Sequence, residues 1–268
     1  MIKSNELKFK YDEQLVLNNI SVKIEKGEYI CIIGASGSGK STFALQLNGI
    51  LTPSSGTVYI DNIDTTSQET IFEIRKNVGI VFQNPDNQII SSIVEEDVAF
   101  GPSNIGQNAE IDKVLQDVGL SEYRNHSTTK LSGGQKQRLA LAGVLAMKPE
   151  YLILDESTSM LDKQSSKKIL EIIRQLNNKY GITIIHITHT MEEAVSADRV
   201  IVFHNGQIVL DDIPAQVFKN VELLENINLS LPLPIKLAYE LGVDVPNEVL
   251  TSDDLVDAIV KEYNNICR

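Results

Sequence analysis

Residues 34–41 read GASGSGKS and match G-x-x-x-x-G-K-[ST] at every fixed position. They follow an apolar run at 29–33 and precede a helical pattern at 42–48. That context constrains the fold strongly. Such a loop works where a buried strand stops and a helix starts, so that backbone N–H groups converge on phosphate oxygens at the helix N-terminus. Its glycines let the backbone approach closely. Lys40 brings a point charge to the outer phosphates, and Ser41 offers a hydroxyl to Mg²⁺.

The rest of the chain has the periodicity expected around such a loop. Short β-branched runs recur at 21–24, 57–60, 78–82, 151–154, 182–188, 200–203 and 207–210, and several are apolar throughout. Strands of that kind are buried on both faces, as in a parallel sheet between helices. Asn205-Gly206 is a hairpin signal between the last two. The clearest helix is 162–179, where Ile169, Ile172, Ile173 and Leu176 share a face, Asp162 caps the start and Gly181 stands past the end. The region from 84 to 147 is poor in strand runs and carries helix-like pieces at 92–100 and 109–118, so it reads as a helical insertion between two core strands.

Composition shifts again near 228, with LSLPLPIKLAYELG followed by a helix expected to begin at Ser252. Asp253 and Asp254 occupy its first turn, and Leu255, Val256, Ile259, Val260 and Tyr263 make its apolar face. The organisation expected is a nucleotide-binding domain over 1–228, with a helical subdomain over about 84–146, and a helical appendage over 229–268, a candidate dimer contact.

Further chemistry lies at strand ends. YLILDE at 151–156 is an apolar strand closing on two acids. An acid there is costly unless it holds something. Asp155 suits Mg²⁺, and Glu156 suits polarising an attacking water. Gln83 ends the run at 78–82, where its amide is expected to reach metal and water. His189 follows the run at 182–188 and is placed to hydrogen-bond a terminal phosphate and orient Glu156. His126, His186 and His204 have no such setting and receive no role. Tyr11, close after Phe9, is a candidate for stacking on a base. Finally, LSGGQ at 131–135 sits before an apolar helical run and forms a second anion-binding helix start.

The formal net charge of −12 argues against a partner held through nucleic-acid phosphates. No apolar run reaches the roughly 18 residues of a membrane span, and MIKSNELKFK reads as no secretory signal. Cys31 and Cys267 lie at opposite ends of the chain, which fits a reducing cytoplasm, with Cys31 as core packing.

Taken in order, GASGSGKS, Gln83, LSGGQ, YLILDE, SMLD at 159–162 and His189 resemble the motifs of ABC-transporter ATPase subunits over roughly residues 5–225. The resemblance implies a P-loop NTPase core with an antiparallel β piece and a helical subdomain. It implies ATP and Mg²⁺ as ligands and a head-to-tail dimer with two ATPs at its interface. On that resemblance, Tyr11 stacks on adenine, and Gly34, Ala35, Ser36, Gly37, Ser38, Gly39, Lys40, Ser41 and Thr42 form the Walker A loop. Ser132, Gly133, Gly134 and Gln135 bind the γ-phosphate held by a partner. Gln83 is the Q-loop glutamine, Asp155 the Walker B metal residue, Glu156 the catalytic base, Asp162 the D-loop aspartate and His189 the switch histidine. Ser157 departs from the Pro or Ala of many relatives.

NPDNQ at 84–88, EEDVAFGPSN at 95–104, SMLD and SLPLP are similar to segments of energy-coupling factor (ECF) transporter ATPases, specifically the first of two paired subunits. Those systems take up vitamins and transition-metal ions. The resemblance therefore implies a second ATPase subunit (heterodimer, or homodimer), a transmembrane coupling protein, a substrate-binding membrane protein, and a place on the cytoplasmic face of the cell membrane. The ATPase of another ABC importer is the alternative within transport.

Overall fold

In the computed structural model, residues 1–241 and 251–266 are described, the last six by backbone alone. The strand before the glycine loop, Tyr29–Gly34, belongs to a sheet with a core on each side. Tyr29, Cys31 and Ile33 join one core, whereas Ile30 and Ile32 join the other. The same alternation recurs at 151–154, where Leu152 and Leu154 face the first core and Tyr151 and Ile153 the second. A fully apolar run thus serves two layers at once.

Two sheets carry the fold. β1 (Ile2–Tyr11), β2 (Gln14–Ile24), β4 (Ser55–Ile60) and β5 (Ile63–Asp64) form an antiparallel sheet in the order β2-β1-β4-β5. β3 (Tyr29–Gly34), β6 (Val78–Val81), β7 (Tyr151–Asp155), β8 (Thr183–Ile187), β9 (Arg199–His204) and β10 (Gln207–Asp212) form the second, in the order β10-β9-β3-β8-β7-β6. All its pairings are parallel except β9 with β10. Asn205 and Gly206 have φ of 48° and 75°, the two left-handed residues of a type I′ hairpin joining that pair.

Helix α1 (Lys40–Leu47) buries Phe43 and Leu47 in the core between the sheets, against Leu17, Ile20 and Val58. α2 (Ile71–Asn77) leads into β6. Between β6 and β7 lie α3 (Val94–Asn104), α4 (Ile111–Asp117), α5 (Gly133–Leu145) and three short 3₁₀ turns, with no strand among the described residues. α6 (Lys163–Tyr180) lays Ile169, Ile172, Ile173 and Leu176 on the other core. Asp162 caps it and Gly181 ends it with φ 68°. α7 (Met191–Ala194) follows β8, and α8 (Pro214–Phe218) and α9 (Val221–Asn226) follow β10.

α10 (Leu233–Glu240) and α11 (Ser252–Ile266) close the chain. Of the apolar face expected on the last helix, Leu255 packs on Ala238. Val256, Ile259 and Val260 are instead 57%, 38% and 52% exposed. Among the described residues Leu255 meets α10, which covers one edge of the stripe on α11. The side chain of Tyr263 lies outside the described residues.

Two further differences concern strands. β1 was not expected, and its inward residues show why. Ile2 and Ser4 alternate, a register shift between Ser4 and Leu7 intervenes, and alternation resumes at Leu7 and Phe9. Glu6, at φ 45°, sits inside that bulge. β6 stops at Val81, so Gln83 stands beyond the strand, not at its last position.

Candidate nucleotide site

β3 hands the chain to α1 through the glycine loop. Gly39 is the N-cap of α1 at φ 105°, a conformation that disfavours side chains, and a Cβ there would lie 2.8 Å from Leu17 Cδ2. The loop is braced from outside, because Gly206 N of the hairpin donates to Ser38 O at 3.0 Å. The Ser38 hydroxyl is buried and unpartnered, a donor held inside the loop.

Lys40 is 4% exposed, and its Nζ donates to Gly34 O at 2.8 Å and Ala35 O at 3.0 Å. Burial pulls its pKa below the ordinary lysine value, while Glu156 and Asp155 pull it back up. A buried ammonium ringed by carbonyls and an unpartnered hydroxyl is a built anion site.

The next residue, Ser41, donates from Oγ to Asp155 Oδ1 at 2.9 Å. This bond ties the first turn of α1 to the end of β7. Burial raises the Asp155 carboxyl above the ordinary value, and the Ser41 bond partly opposes the rise. A hydroxyl and a carboxylate side by side are hard oxygen donors that fit Mg²⁺. Among the described residues no group of three or more His, Cys, Asp and Glu could hold a metal. A Mg²⁺ here would therefore rely on phosphate oxygens and water for its remaining ligands.

Glu156 has φ 50°, and its N–H donates to Ile187 O at 3.0 Å. Its Oε2 lies 3.6 Å from His189 Nδ1. The parallel pairing of β7 with β8 produces this meeting, because it places Asp155 beside Ile187 and the two chain ends side by side. A cavity of about 450 Å³ gathers Gly34, Ala35, Ser36, Lys40, Glu156, His189 and Met191 with Asn228, Leu229 and Ser230. The last three were not expected, since they sit where the appendage begins.

Other candidates stand apart from that cavity. Gln83 is exposed, and its amide donates to Ser159 Oγ at 3.0 Å, three residues past Glu156. Tyr11 is 46% exposed and makes an edge-on contact with Phe9. Asp162 accepts from Gln164 N and Ser165 N, each at 3.0 Å, and serves as a helix cap. Gly37 and Thr42 complete the loop and the first turn of α1. Ser157 is buried, with an unpartnered hydroxyl.

Ser132 and Gln135 form a capping box on α5: Ser132 N donates to Gln135 Oε1 at 2.7 Å, and Gln135 N to Ser132 Oγ at 3.3 Å. Helix geometry leaves the N–H groups of Gly133 and Gly134 without intrahelical acceptors. None of these four residues lines the cavity of Lys40 and Glu156.

Sequence reasoning also missed a buried polar cluster behind the site. His186 is fully buried, with Nδ1 3.3 Å from Tyr29 Oη and Nε2 3.4 Å from Glu193 Oε2. Burial drives its pKa below the ordinary histidine value, against the pull of Glu193. The only signal was an inward-facing polar residue in an apolar strand run.

Comparison with known proteins agrees with this geometry. The family model described as "ABC transporter" matches residues 17–159. The Energy-coupling factor transporter ATP-binding protein EcfA1 of Clostridium perfringens is 46% identical over 97% of this chain and 97% of its own length. The protein of the same name from Caldanaerobacter subterraneus is 46% identical over 97% and 99%. Among solved structures, cbiO1 of Clostridium perfringens, part of the ABC transporter complex cbiONQ, is similar with TM-score 0.77 and 38% identity, over 89% of this chain and 98% of that one. The dimeric ATP-binding cassette MJ0796, in a post-hydrolysis state bound to ADP and Pi, follows with TM-score 0.72 and 30% identity, over 80% and 99%. The chain belongs to the ABC transporter family and, within it, to the energy-coupling factor transporter ATP-binding proteins.

Proposed function

We propose that this chain is the ATP-binding and hydrolysing subunit of an ECF-type transporter, powering uptake of vitamins or transition-metal ions through a membrane coupling protein. The observation that carries the reading is the single cavity uniting the glycine loop, Lys40, Glu156 and His189. Lys40 and the loop N–H groups bind the phosphates. Glu156 takes a proton from the attacking water, and His189, 3.6 Å away, holds that carboxylate and the terminal phosphate in register. Ser41 and Asp155 would hold Mg²⁺, whose chemistry is to neutralise charge on the phosphoryl group. Tyr11 stacks on adenine, with its exposed ring supporting that role. Gln83 senses the site through Ser159.

Ser132, Gly133, Gly134 and Gln135 act on the ATP of a second ATPase chain. Their absence from the lining of the chain's own cavity supports this. Two chains then close head-to-tail on two ATPs, and ATP shifts the equilibrium by its differential affinity for the closed pair. Asp162 lies at that junction. The second chain is a similar but different ATPase. The helical region over 84–146 transmits closure to the coupling protein, and the 229–268 appendage adds contact between the ATPases. Among the described residues no helix is long and apolar enough to cross a membrane, and the chain works at the cytoplasmic face, held by its partners.

Affinity purification of the chain from membranes tests this. The expected co-purifying set is a second ATPase, a coupling protein and a small substrate-binding membrane protein. Recovery with an extracellular binding-protein system instead would contradict the ECF reading.

A further inference from the structure

A buried carboxylate that the mechanism above leaves unused lies directly behind the reacting groups. Glu193, on α7, is 8% exposed. A single oxygen, Oε2, accepts from Thr188 Oγ1 at 2.7 Å and from Thr158 Oγ1 at 3.1 Å. The same oxygen lies 3.4 Å from His186 Nε2. Thr188 directly precedes His189, and its Oγ1 also accepts from Thr190 N at 3.0 Å, so its hydroxyl brackets the histidine. Thr158 stands two residues past Glu156. Its carbonyl accepts from Leu161 N and from Ser166 Oγ, which fixes the turn into α6. One oxygen therefore joins the loop that follows β7 to the loop that follows β8. Desolvating an acid at this depth is costly, and two hydroxyl donors meeting on one oxygen hold both loops in a single arrangement.

We infer that Glu193 is a positioning residue for ATP hydrolysis, setting the relation between Glu156 and His189 through Thr158 and Thr188. The inference rests on the reading of Glu156 and His189 given above. Glu193 lies outside the residues that line the phosphate cavity. Its loss should therefore lower turnover while leaving nucleotide affinity in place.

The test uses the full-length chain, with equilibrium ATP binding measured on it alone and MgATP turnover measured on the chain assembled with its partner ATPase. Glu193→Ala should lower kcat on the order of 10²-fold, the effect of misplacing reacting groups by about 1 Å, with the Kd for ATP unchanged within about twofold. Glu193→Gln keeps an amide oxygen able to accept both hydroxyls, and should restore most of that loss. Thr158→Val removes one donor at nearly constant volume. It should lower kcat with the same Kd pattern, and add little on top of Glu193→Ala because the two act as one unit. If Glu193→Ala does not fold, Thr158→Val alone decides. Wild-type turnover in Thr158→Val or in folded Glu193→Ala overturns the inference. So does a loss of ATP affinity in parallel with turnover, or a failure of Glu193→Gln to rescue. Glu156→Gln, measured alongside, separates the two levels. Normal turnover there removes the site reading itself, whereas a dead Glu156→Gln beside normal Glu193 and Thr158 variants removes only the role of Glu193.

Discussion

Ser41 Oγ donates to Asp155 Oδ1 at 2.9 Å, although the two residues belong to different elements and lie far apart in sequence. The bond fastens the helix after the glycine loop to the strand that ends beside Glu156. A divalent ion at this point would be shared by both halves of the site. Asp155→Asn is accordingly expected to weaken Mg²⁺-dependent ATP binding and to abolish turnover. Titration of ATP with and without a chelator checks this: the wild-type affinity should fall when Mg²⁺ is removed, and the variant should lose most of that dependence.

Ser132→Arg separates binding from turnover. The capping box places Ser132 at an exposed helix start, outside the cavity of its own chain. The isolated variant should bind ATP as the wild type does. Assembled with its partner ATPase, it should fail to close productively and lose hydrolysis. Full turnover in the assembled variant would refute action across the interface.

Asp162 supplies a pH-dependent element of stability. Hydrogen bonds from the Ser165 hydroxyl first, then from the Ser165 and Gln164 N–H groups, hold its carboxyl below the ordinary value of 3.8. A depressed pKa contributes stability that is present above the ordinary value and is lost as pH falls through the lower folded value. Asp162→Ala should therefore lower Tm at neutral pH, with the difference from wild type shrinking below that ordinary value. Thermal melts across pH 2–7 read this directly.

The appendage calls for surface variants rather than truncation. Leu229, Leu231 and Ile235 are buried in the main core, so deletion would expose it. Val256, Ile259 and Val260 are exposed on α11. Replacing Val256 and Ile259 together with Asp should leave Tm nearly unchanged and weaken association between ATPase chains, measured by analytical ultracentrifugation with MgATP. Unchanged association would remove the appendage from the interface.

How much of this was legible beforehand follows from the kind of signal each residue leaves. The glycine loop, YLILDE and LSGGQ are contiguous runs, so each stands out in the sequence as a motif. The helix at 163–180 announced itself by its cap, its apolar stripe and its terminal glycine. β1 was missed because the bulge at Glu6 breaks the period of two on which strand reading depends. Glu193 leaves no signal in the sequence, because its partners Thr158 and Thr188 are brought to it by the fold. Asn228 and Ser230 lie where the composition shifts, just before two prolines. Only folding brings them to the wall of the cavity that holds Lys40 and Glu156. Gln83 was expected at the end of the strand but stands beyond it, and its bond to Ser159 depends on the meeting of two loops that no spacing encodes.

Phosphate release from the Glu156→Gln variant, assembled with the partner ATPase, decides whether Glu156 activates water for ATP hydrolysis in the cavity it shares with Lys40 and His189. The variant should bind ATP with wild-type affinity and accumulate as an ATP-bound pair. Its hydrolysis should fall roughly 10²–10⁴-fold, about 3–5 kcal/mol of lost transition-state stabilisation. Phosphate release at the wild-type rate would exclude Glu156 as the base.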